Sequence, residues 1–393
     1  MKTFSLLIAL TLLASGIALS PSIAYAQDDK QGDFERSWYD TCYQKKPTDV
    51  EKCYQQSKEL VDKYPTSTYL DNAKGRIKAY EKAKVLDKFQ AAFTAYSSAP
   101  DTAKLDQLFA AGDESINGDK LEPAIKQYFL GRMAIAGTRG AMGEIYKNLD
   151  KVKGYAEKAL NTFEPVAPPE GWKKEEWEPQ RETVLIEMNQ YLGWHFILGT
   201  KSDMNKGLEY LNKAIQIKGK DGAGWKDGNN YYMRSLAYFN QYIELRKPYD
   251  AMTDEQKLSD DGKAIRTKIN EMLDTKLIPE YARIVATATK PETKSLYDYA
   301  KPEFDKLWEF RTGAKEKAAD YIKNYVADPS ISSVPVPAKA EDTSNLNAPA
   351  APTTGPGNVK LSTGAAPAAQ GNGGGKSTPA KKGSTKGKKR GRG

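Results

Sequence analysis

The chain has 393 residues and a formal net charge of +8, and 28% of its residues are charged. This length suffices for a large core or an extended array of repeats. The chain contains a single histidine, which excludes a metal site built on two histidine ligands. After residue 26, no stretch approaches the roughly 20 apolar residues that a membrane-spanning helix needs.

The N-terminus has the parts of a secretory signal peptide. Lys2 supplies a positive charge, residues 4–19 are apolar apart from small polar residues, and Ala24-Tyr25-Ala26 matches a signal-peptidase site. The apolar run is too short for a bilayer span, and acidic residues follow it, which disfavours a retained anchor. The sequence therefore predicts cleavage after Ala26 and export to the periplasm or cell envelope.

Two cysteines, Cys42 and Cys53, flank a predicted turn at residues 46–48. Helix is predicted before the turn, and Thr48 with Glu51 forms a capping box that opens the next helix. In an antiparallel helical hairpin the two cysteines face each other, and an exported chain meets an oxidising compartment. We predict a structural disulfide. The alternative is a redox pair, although the spacing differs from Cys-x-x-Cys.

Apolar residues in 27–328 recur at spacings of three and four, as in Leu236, Phe239 and Ile243, and strand-like alternation is almost absent. Thr253 and Gln256 predict a further capping box. This pattern predicts an all-α array of many moderate helices. Prolines mark five predicted helix ends: Pro65, Pro100, Pro165, Pro248 and Pro291.

One stretch, "YLGWHFILGTKSDMNKGLEYLNKAI", carries a repeat signature. Small and bulky residues occupy positions that pack across a helical hairpin. They are Leu192, Gly193 and Phe196 on the first predicted helix and Gly207, Leu208, Leu211 and Ala214 on the second. Residues 189–217 resemble a tetratricopeptide repeat (TPR), although Asn189 replaces the usual aromatic residue and Gly207 the usual alanine. Weaker echoes occur at 58–73, 140–165 and 229–245. The resemblance implies a helical-hairpin solenoid that binds a protein or peptide.

Few residues suggest a catalytic, phosphate-binding or metal-binding role. His195 lies inside the best repeat and is interpreted as a packed or groove-lining side chain. The glycine-rich residues 219–228 lack the Gly-Lys-Ser/Thr ending of a phosphate loop, so they are interpreted as a loop between repeats. Asp221 and Asp227 do not match a calcium-loop spacing. We therefore predict no catalytic activity, no cofactor and no metal site.

Aromatic residues supply the candidate partner contacts, which are Trp172, Trp177, Tyr231 and Tyr232. The two tryptophans stand among charges and prolines in residues 165–179. They either cap the exposed edge of the preceding hairpin or form a contact loop for a partner.

Residues 329–393 are rich in Ala, Pro, Gly and Lys and are predicted to be disordered, because they cannot bury enough apolar area. Their basic end, residues 376–393, has no acidic residue and eight basic ones: Lys376, Lys381, Lys382, Lys386, Lys388, Lys389, Arg390 and Arg392. Export places these charges near anionic lipid, lipopolysaccharide or wall polymer, and disfavours nucleic acid as the ligand. The alternative is a tail that only solvates the protein.

These features predict a noncatalytic envelope scaffold that binds a protein or peptide, with a polybasic tail as an electrostatic tether. The alternative is a glycan- or small-molecule-binding envelope protein, or an accessory subunit of an envelope enzyme, that uses an aromatic-lined groove.

Overall fold

The computed structural model describes residues 29–43, 49–199, 202–218, 223–329 and 333–339. These residues form α-helices joined by short turns, with no β-strand among them. The predicted all-α class is therefore confirmed. In this part of the chain, no helix combines the length and the apolar character that crossing a bilayer requires.

Fourteen α-helices occur in the described residues: α1 (Asp29–Cys42), α2 (Val50–Lys63), α3 (Leu70–Ser98), α4 (Thr102–Asn117), α5 (Pro123–Met142), α6 (Leu149–Phe163), α7 (Lys174–Leu198), α8 (Met204–Gln216), α9 (Gly228–Asp250), α10 (Asp254–Leu258), α11 (Asp260–Met272), α12 (Ile278–Thr287), α13 (Lys294–Thr312) and α14 (Ala318–Ala327). A π-helical turn, Leu273–Leu277, joins α11 to α12. Short 3-10 turns cover Gly224–Lys226, Pro291–Thr293 and Lys315–Lys317.

Local sequence signals place most of the helix ends. α2, α3 and α6 stop one or two residues before a proline, and the predicted capping box between Thr253 and Gln256 opens α10. The helix end predicted at Pro248 is wrong, because α9 continues to Asp250. Pro248 lies in the last turn of α9, where it removes the N–H that would bond to the carbonyl of Glu244 and crowds that carbonyl. Glu244 is exposed, so its carbonyl can tilt outward and bond to water instead.

The helices pack in chain order. From α1 to α9 each helix packs on the next, and α5, α7, α9, α12 and α14 also pack on one another in that order as a first row. α6, α8, α11 and α13 lie between them in the chain, and each of them packs on at least one helix of this first row. Contacts that run only between neighbours characterise a helical solenoid.

The hairpin units are longer than tetratricopeptide repeats. α3, α5, α7, α9 and α12 begin at residues 70, 123, 174, 228 and 278, which are separated by 53, 51, 54 and 50 residues. A tetratricopeptide repeat has a period of 34 residues. The difference arises because α3, α5, α7 and α9 have 29, 20, 25 and 23 residues.

Three hydrophobic clusters stabilise the array. The largest surrounds α12, whose residues from Ile278 to Ala286 are all buried, as expected of a helix enclosed on every side. A second cluster joins α3 to α7, and Trp194 packs against both of these clusters. A small third cluster lies in the N-terminal hairpin and contains Trp38, Cys42, Cys53, Leu60 and Ala73.

The packed chain extends beyond the boundary predicted at residue 328. Residues 333–339, here called the strap, lie against the C-terminal helices, and Val334 and Val336 pack on the largest cluster. Composition assigned these residues to the disordered tail, but alternating valines give the strap an apolar side that can be buried. The predicted signal peptide, residues 1–26, and all eight basic residues of 376–393 lie outside the described residues.

Candidate partner-binding site

Three of the predicted repeat-packing residues, Gly193, Gly207 and Leu211, meet at the crossing of α7 and α8. Gly193 and Gly207 are buried opposite each other. A Cβ at Gly193 would lie 2.6 Å from Leu211 Cγ, and one at Gly207 would lie 2.6 Å from Ile197 Cγ1. A side chain at either position would therefore displace Leu211 or Ile197 and press on the backbone of the other helix. The other predicted residues are buried or half-buried: Leu192, Phe196, Leu208 and Ala214.

The predicted disulfide between Cys42 and Cys53 is confirmed, with Cα atoms 5.1 Å apart. Both cysteines are buried, and Trp38 Nε1 donates a hydrogen bond of 2.9 Å to Ser57 Oγ beside them. Asp49 caps α2 by accepting from the N–H of Lys52. The predicted cap, Thr48, lies outside the described residues. The disulfide therefore belongs to the core of the N-terminal hairpin.

The tryptophans of 165–179 pack inside the array. Trp177 is fully buried and stacks on Phe163, with ring centroids 5.0 Å apart. Trp172 is half-buried and donates from Nε1 to Gln127 Oε1 at 2.9 Å. These positions fit a cap on the hairpin of α5 and α6, and they leave Trp177 without a surface for a partner.

Tyr231 and Tyr232 also lie in the core, with 0% and 1% of their surfaces exposed. Tyr231 donates its hydroxyl to the carbonyl of Trp225 at 2.7 Å. Because α9 is covered by α8, α11 and α12, both neighbouring tyrosines face protein. The aromatic-lined groove expected around them is therefore not formed by these side chains.

The side chains of His195 and Asp227 are packed or hydrogen-bonded within the array. His195 is half-buried, and burial lowers the pKa of its imidazole, with Lys153 adding to the effect. Asp227 caps α9 by accepting from Asn229 N, and its second carboxylate oxygen accepts from Gln190 Nε2 at 2.6 Å. Asp221 lies outside the described residues. Among those that are described, no three His, Cys, Asp or Glu side chains come together as metal ligands.

A buried ionic cluster joins α9 to α12. Glu280 is 1% exposed, and its Oε1 accepts hydrogen bonds from the guanidinium groups of Arg234 and Arg283. Arg234 also donates to Asn212 Oδ1 at 3.0 Å, and Arg283 donates to the carbonyl of Pro329 at 2.8 Å. A cavity of about 240 Å³ adjoins the two arginines. Sequence reasoning missed this cluster, since Arg234 and Glu280 are 46 positions apart.

An open groove of about 700 Å³ lies between α13 and α14 and is here called the α13–α14 groove. Its apolar floor contains Val285 of α12, Trp308, Ala318 and Ile322. Its rim is charged and polar: Tyr297, Lys301, Asp305, Lys306, Glu309 and Lys315. An apolar floor with a polar rim is the usual anatomy of a protein-binding site, and the volume suits a bound segment.

The groove lies at the end of the solenoid. α7 packs against the helices before and after it in the chain, α6 and α8, and α9 packs against α8 and α11. α14 packs on α12 but has no later helix beside it in the described part of the chain. Tyr297 is 39% exposed at the rim. The groove therefore offers apolar surface beside α14, the last helix among the described residues.

A buried carboxyl lies on α13. Glu303 is 6% exposed, and its Oε2 accepts no hydrogen bond from the described residues. Burial raises the pKa of this carboxyl above its usual range, and Lys306, whose Nζ lies 4.0 Å away, opposes the shift in part. Ionising Glu303 therefore disfavours the folded state.

We expect Glu303→Gln to stabilise the protein more at neutral pH than at acidic pH. The folded state holds the Glu303 proton at pH values where the unfolded chain, with an ordinary pKa of about 4.3, has lost it. The stability that this group contributes is thus present below that pH and is lost as the pH rises through the folded-state pKa. Urea unfolding of wild type and variant at about pH 4 and pH 7 measures the difference; a buried unsatisfied group costs about 1–3 kcal/mol.

The control is Glu316→Gln, which alters an exposed carboxyl in the turn before α14. Its difference from wild type should stay constant with pH. If Glu303→Gln is equally insensitive to pH, the carboxyl is solvated in the folded protein.

No protein-family model matches the chain, and comparisons with curated proteins and with solved structures returned no similar protein.

Proposed function

We propose that the protein is a noncatalytic, TPR-like scaffold of the cell envelope that binds a protein or peptide partner in the α13–α14 groove. The observation that carries this proposal is the apolar floor of Val285, Trp308 and Ile322 beside the last helix of the array. A partner segment placed there would continue the helix packing of the solenoid.

Export and tethering form the second part of the proposal. They rest on the signal-peptide pattern of residues 1–26 and on the basic end, residues 376–393. Each basic residue near an anionic membrane surface contributes about 1 kcal/mol, so eight of them suffice for reversible retention. This attraction weakens as salt rises, because exposed charges are screened.

Ala319→Arg tests the groove. Ala319 is exposed and lines the groove, so a long side chain there fills the binding space without entering the core. The matched control is Ala327→Arg, an exposed position on the same helix away from the groove. In cross-linked capture from envelope extract, the same partner should bind wild type and Ala327→Arg and be lost with Ala319→Arg.

Two further arms complete the experiment. A chain that lacks residues 376–393 should still capture the partner but should no longer sediment with anionic vesicles at low salt. If Ala319→Arg captures the same proteins as wild type, the groove is not the binding site. If neither the deletion nor added salt changes the binding to anionic vesicles, the tail is not the tether.

A further inference from the structure

The strap binds the array through three main-chain hydrogen bonds and one side-chain hydrogen bond. Val334 donates its N–H to Tyr325 Oη at 2.9 Å, and the carbonyl of Val334 accepts from Tyr321 Oη at 2.8 Å. At its two ends, Ser333 Oγ donates to the carbonyl of Thr275 at 2.9 Å, and Lys339 N donates to the carbonyl of Arg311, also at 2.9 Å. Four anchors on three different elements therefore hold seven residues.

Breaks in the helices provide two of these anchors. Pro279 has no N–H to donate to the carbonyl of Thr275 four residues earlier, so this carbonyl is left for Ser333. Arg311 lies in the last turn of α13, where carbonyls have no donor within the helix. Its guanidinium also pairs with Asp274 through two bonds of 2.7 Å, which ties the end of α13 to the π-helical turn.

The tyrosine anchors form an aromatic wall. The Tyr321 and Tyr325 hydroxyl groups lie 3.3 Å apart, and the Tyr321 ring packs on Trp308 with centroids separated by 4.7 Å. The rings of both tyrosines are buried. Their hydroxyl groups therefore hold fixed positions and present one acceptor and one donor to the main chain of Val334.

The side chains of the strap alternate. Val334 and Val336 are half-buried against the largest cluster, whereas Pro335 and Pro337 are exposed. A proline has no N–H that needs a partner, and its fixed φ keeps the chain from folding into a helix. The site therefore accepts apolar residues at alternate positions and tolerates proline between them.

We propose that the strap site is a binding site for peptides of the pattern apolar-Pro-apolar-Pro, which the chain's own residues 333–339 occupy. Aromatic walls with hydroxyl donors are a recurring means of recognising proline-containing segments. The strap is a ligand attached in cis, and a partner segment with the same pattern binds when the strap leaves. The four residues that anchor the strap do not line the α13–α14 groove, although Trp308 lies between the two sites. The strap site adds a second kind of partner segment to the proposed scaffold.

The strap must be released before the affinity of the site for a free peptide can be measured, because its attachment to the chain gives the strap a high effective concentration. Val334→Asp/Val336→Asp in the full chain releases the strap by placing charge against the apolar cluster. Both positions lie outside the helices, so the array keeps its core. The probe is a fluorescent peptide, Ser-Val-Pro-Val-Pro-Ala-Lys, with blocked ends.

We expect the double variant to bind this peptide saturably and about tenfold or more tightly than wild type does. A peptide with aspartate in place of both valines should not bind. Adding Tyr321→Phe and Tyr325→Phe to the double variant should weaken binding about fivefold or more, because both main-chain hydrogen bonds of Val334 are lost.

A second measurement uses the wild type. Saturating peptide should displace the strap, and hydrogen exchange of the amides in residues 333–339 should then increase, while the aspartate peptide leaves it unchanged. The proposal is overturned if the double variant binds the two peptides with equal affinity. It is also overturned if the peptide leaves the hydrogen exchange of the strap amides unchanged. Adding Ala319→Arg to the double variant should leave its affinity for the peptide unchanged. The test of the strap site is therefore independent of the test of the α13–α14 groove.

Discussion

Replacing Glu280 with glutamine is expected to lower the free energy of unfolding by about 3–5 kcal/mol. The carboxylate is 1% exposed and accepts hydrogen bonds from both Arg234 and Arg283. Glutamine keeps the volume but removes the negative charge that balances two buried guanidinium groups. Chemical denaturation of wild type and variant at neutral pH measures the loss.

Two further variants test whether the loss comes from leaving buried charges without a partner. Glu187→Gln alters a single ion pair, that with Arg139, whose side chains are 17% and 20% exposed, so its loss should be smaller. Arg234→Met, Glu280→Leu and Arg283→Met combined should cost less than Glu280→Gln alone, because no charge then remains buried without its partner. A triple variant less stable than Glu280→Gln would show that the cluster itself stabilises the fold.

Gly207→Leu is expected to cost about 1–3 kcal/mol, toward the upper end of that range. Its Cβ would lie 2.6 Å from Ile197 Cγ1 and 3.1 Å from the carbonyl oxygen of Gly193. The Ile197 side chain can move, but the Gly193 carbonyl belongs to the backbone of α7, so the two helices must separate. Thermal melting measures the effect.

The matched control is Asn205→Leu, an exposed position in the same turn of α8. Lys206 is less suitable as a control because its Nζ lies 4.5 Å from the ring centroid of Phe196. Equal melting temperatures for Gly207→Leu and Asn205→Leu would mean that α7 and α8 do not cross at the two glycines.

Local structure was predictable wherever a few neighbouring residues determine it. The hairpin that brings Cys42 to Cys53 and the capping box of Thr253 follow from residues close in sequence. Pro248 shows the limit of such signals, because whether a proline ends a helix depends on how the freed carbonyl of Glu244 is solvated. The long hairpin period was also missed, since the resemblance rested on one short unit.

Burial was the property that sequence could not assign. Tyr231 and Tyr232 were expected at a partner surface, but α9 is covered on both of their sides. Glu280 and Arg283 have the three-residue spacing of an ordinary surface ion pair, yet they lie in the core because Arg234 reaches them from another helix. Similarly, the strap is positioned by hydroxyl groups and carbonyls that composition cannot reveal.

The long helix α3 has a consequence for how the protein opens. Ala73 belongs to the small cluster of the N-terminal hairpin, Phe89 and Tyr96 belong to the second cluster, and no residue of α3 between Ala73 and Phe89 is fully buried. Detaching the hairpin therefore exposes its own small cluster and breaks the stacking of Tyr54 on Tyr80, while the larger clusters stay closed. Because Cys42 and Cys53 remain joined, the detached α1 and α2 stay paired at one end and need to close only a short loop to dock again. We therefore expect the N-terminal hairpin to open before the two larger clusters do.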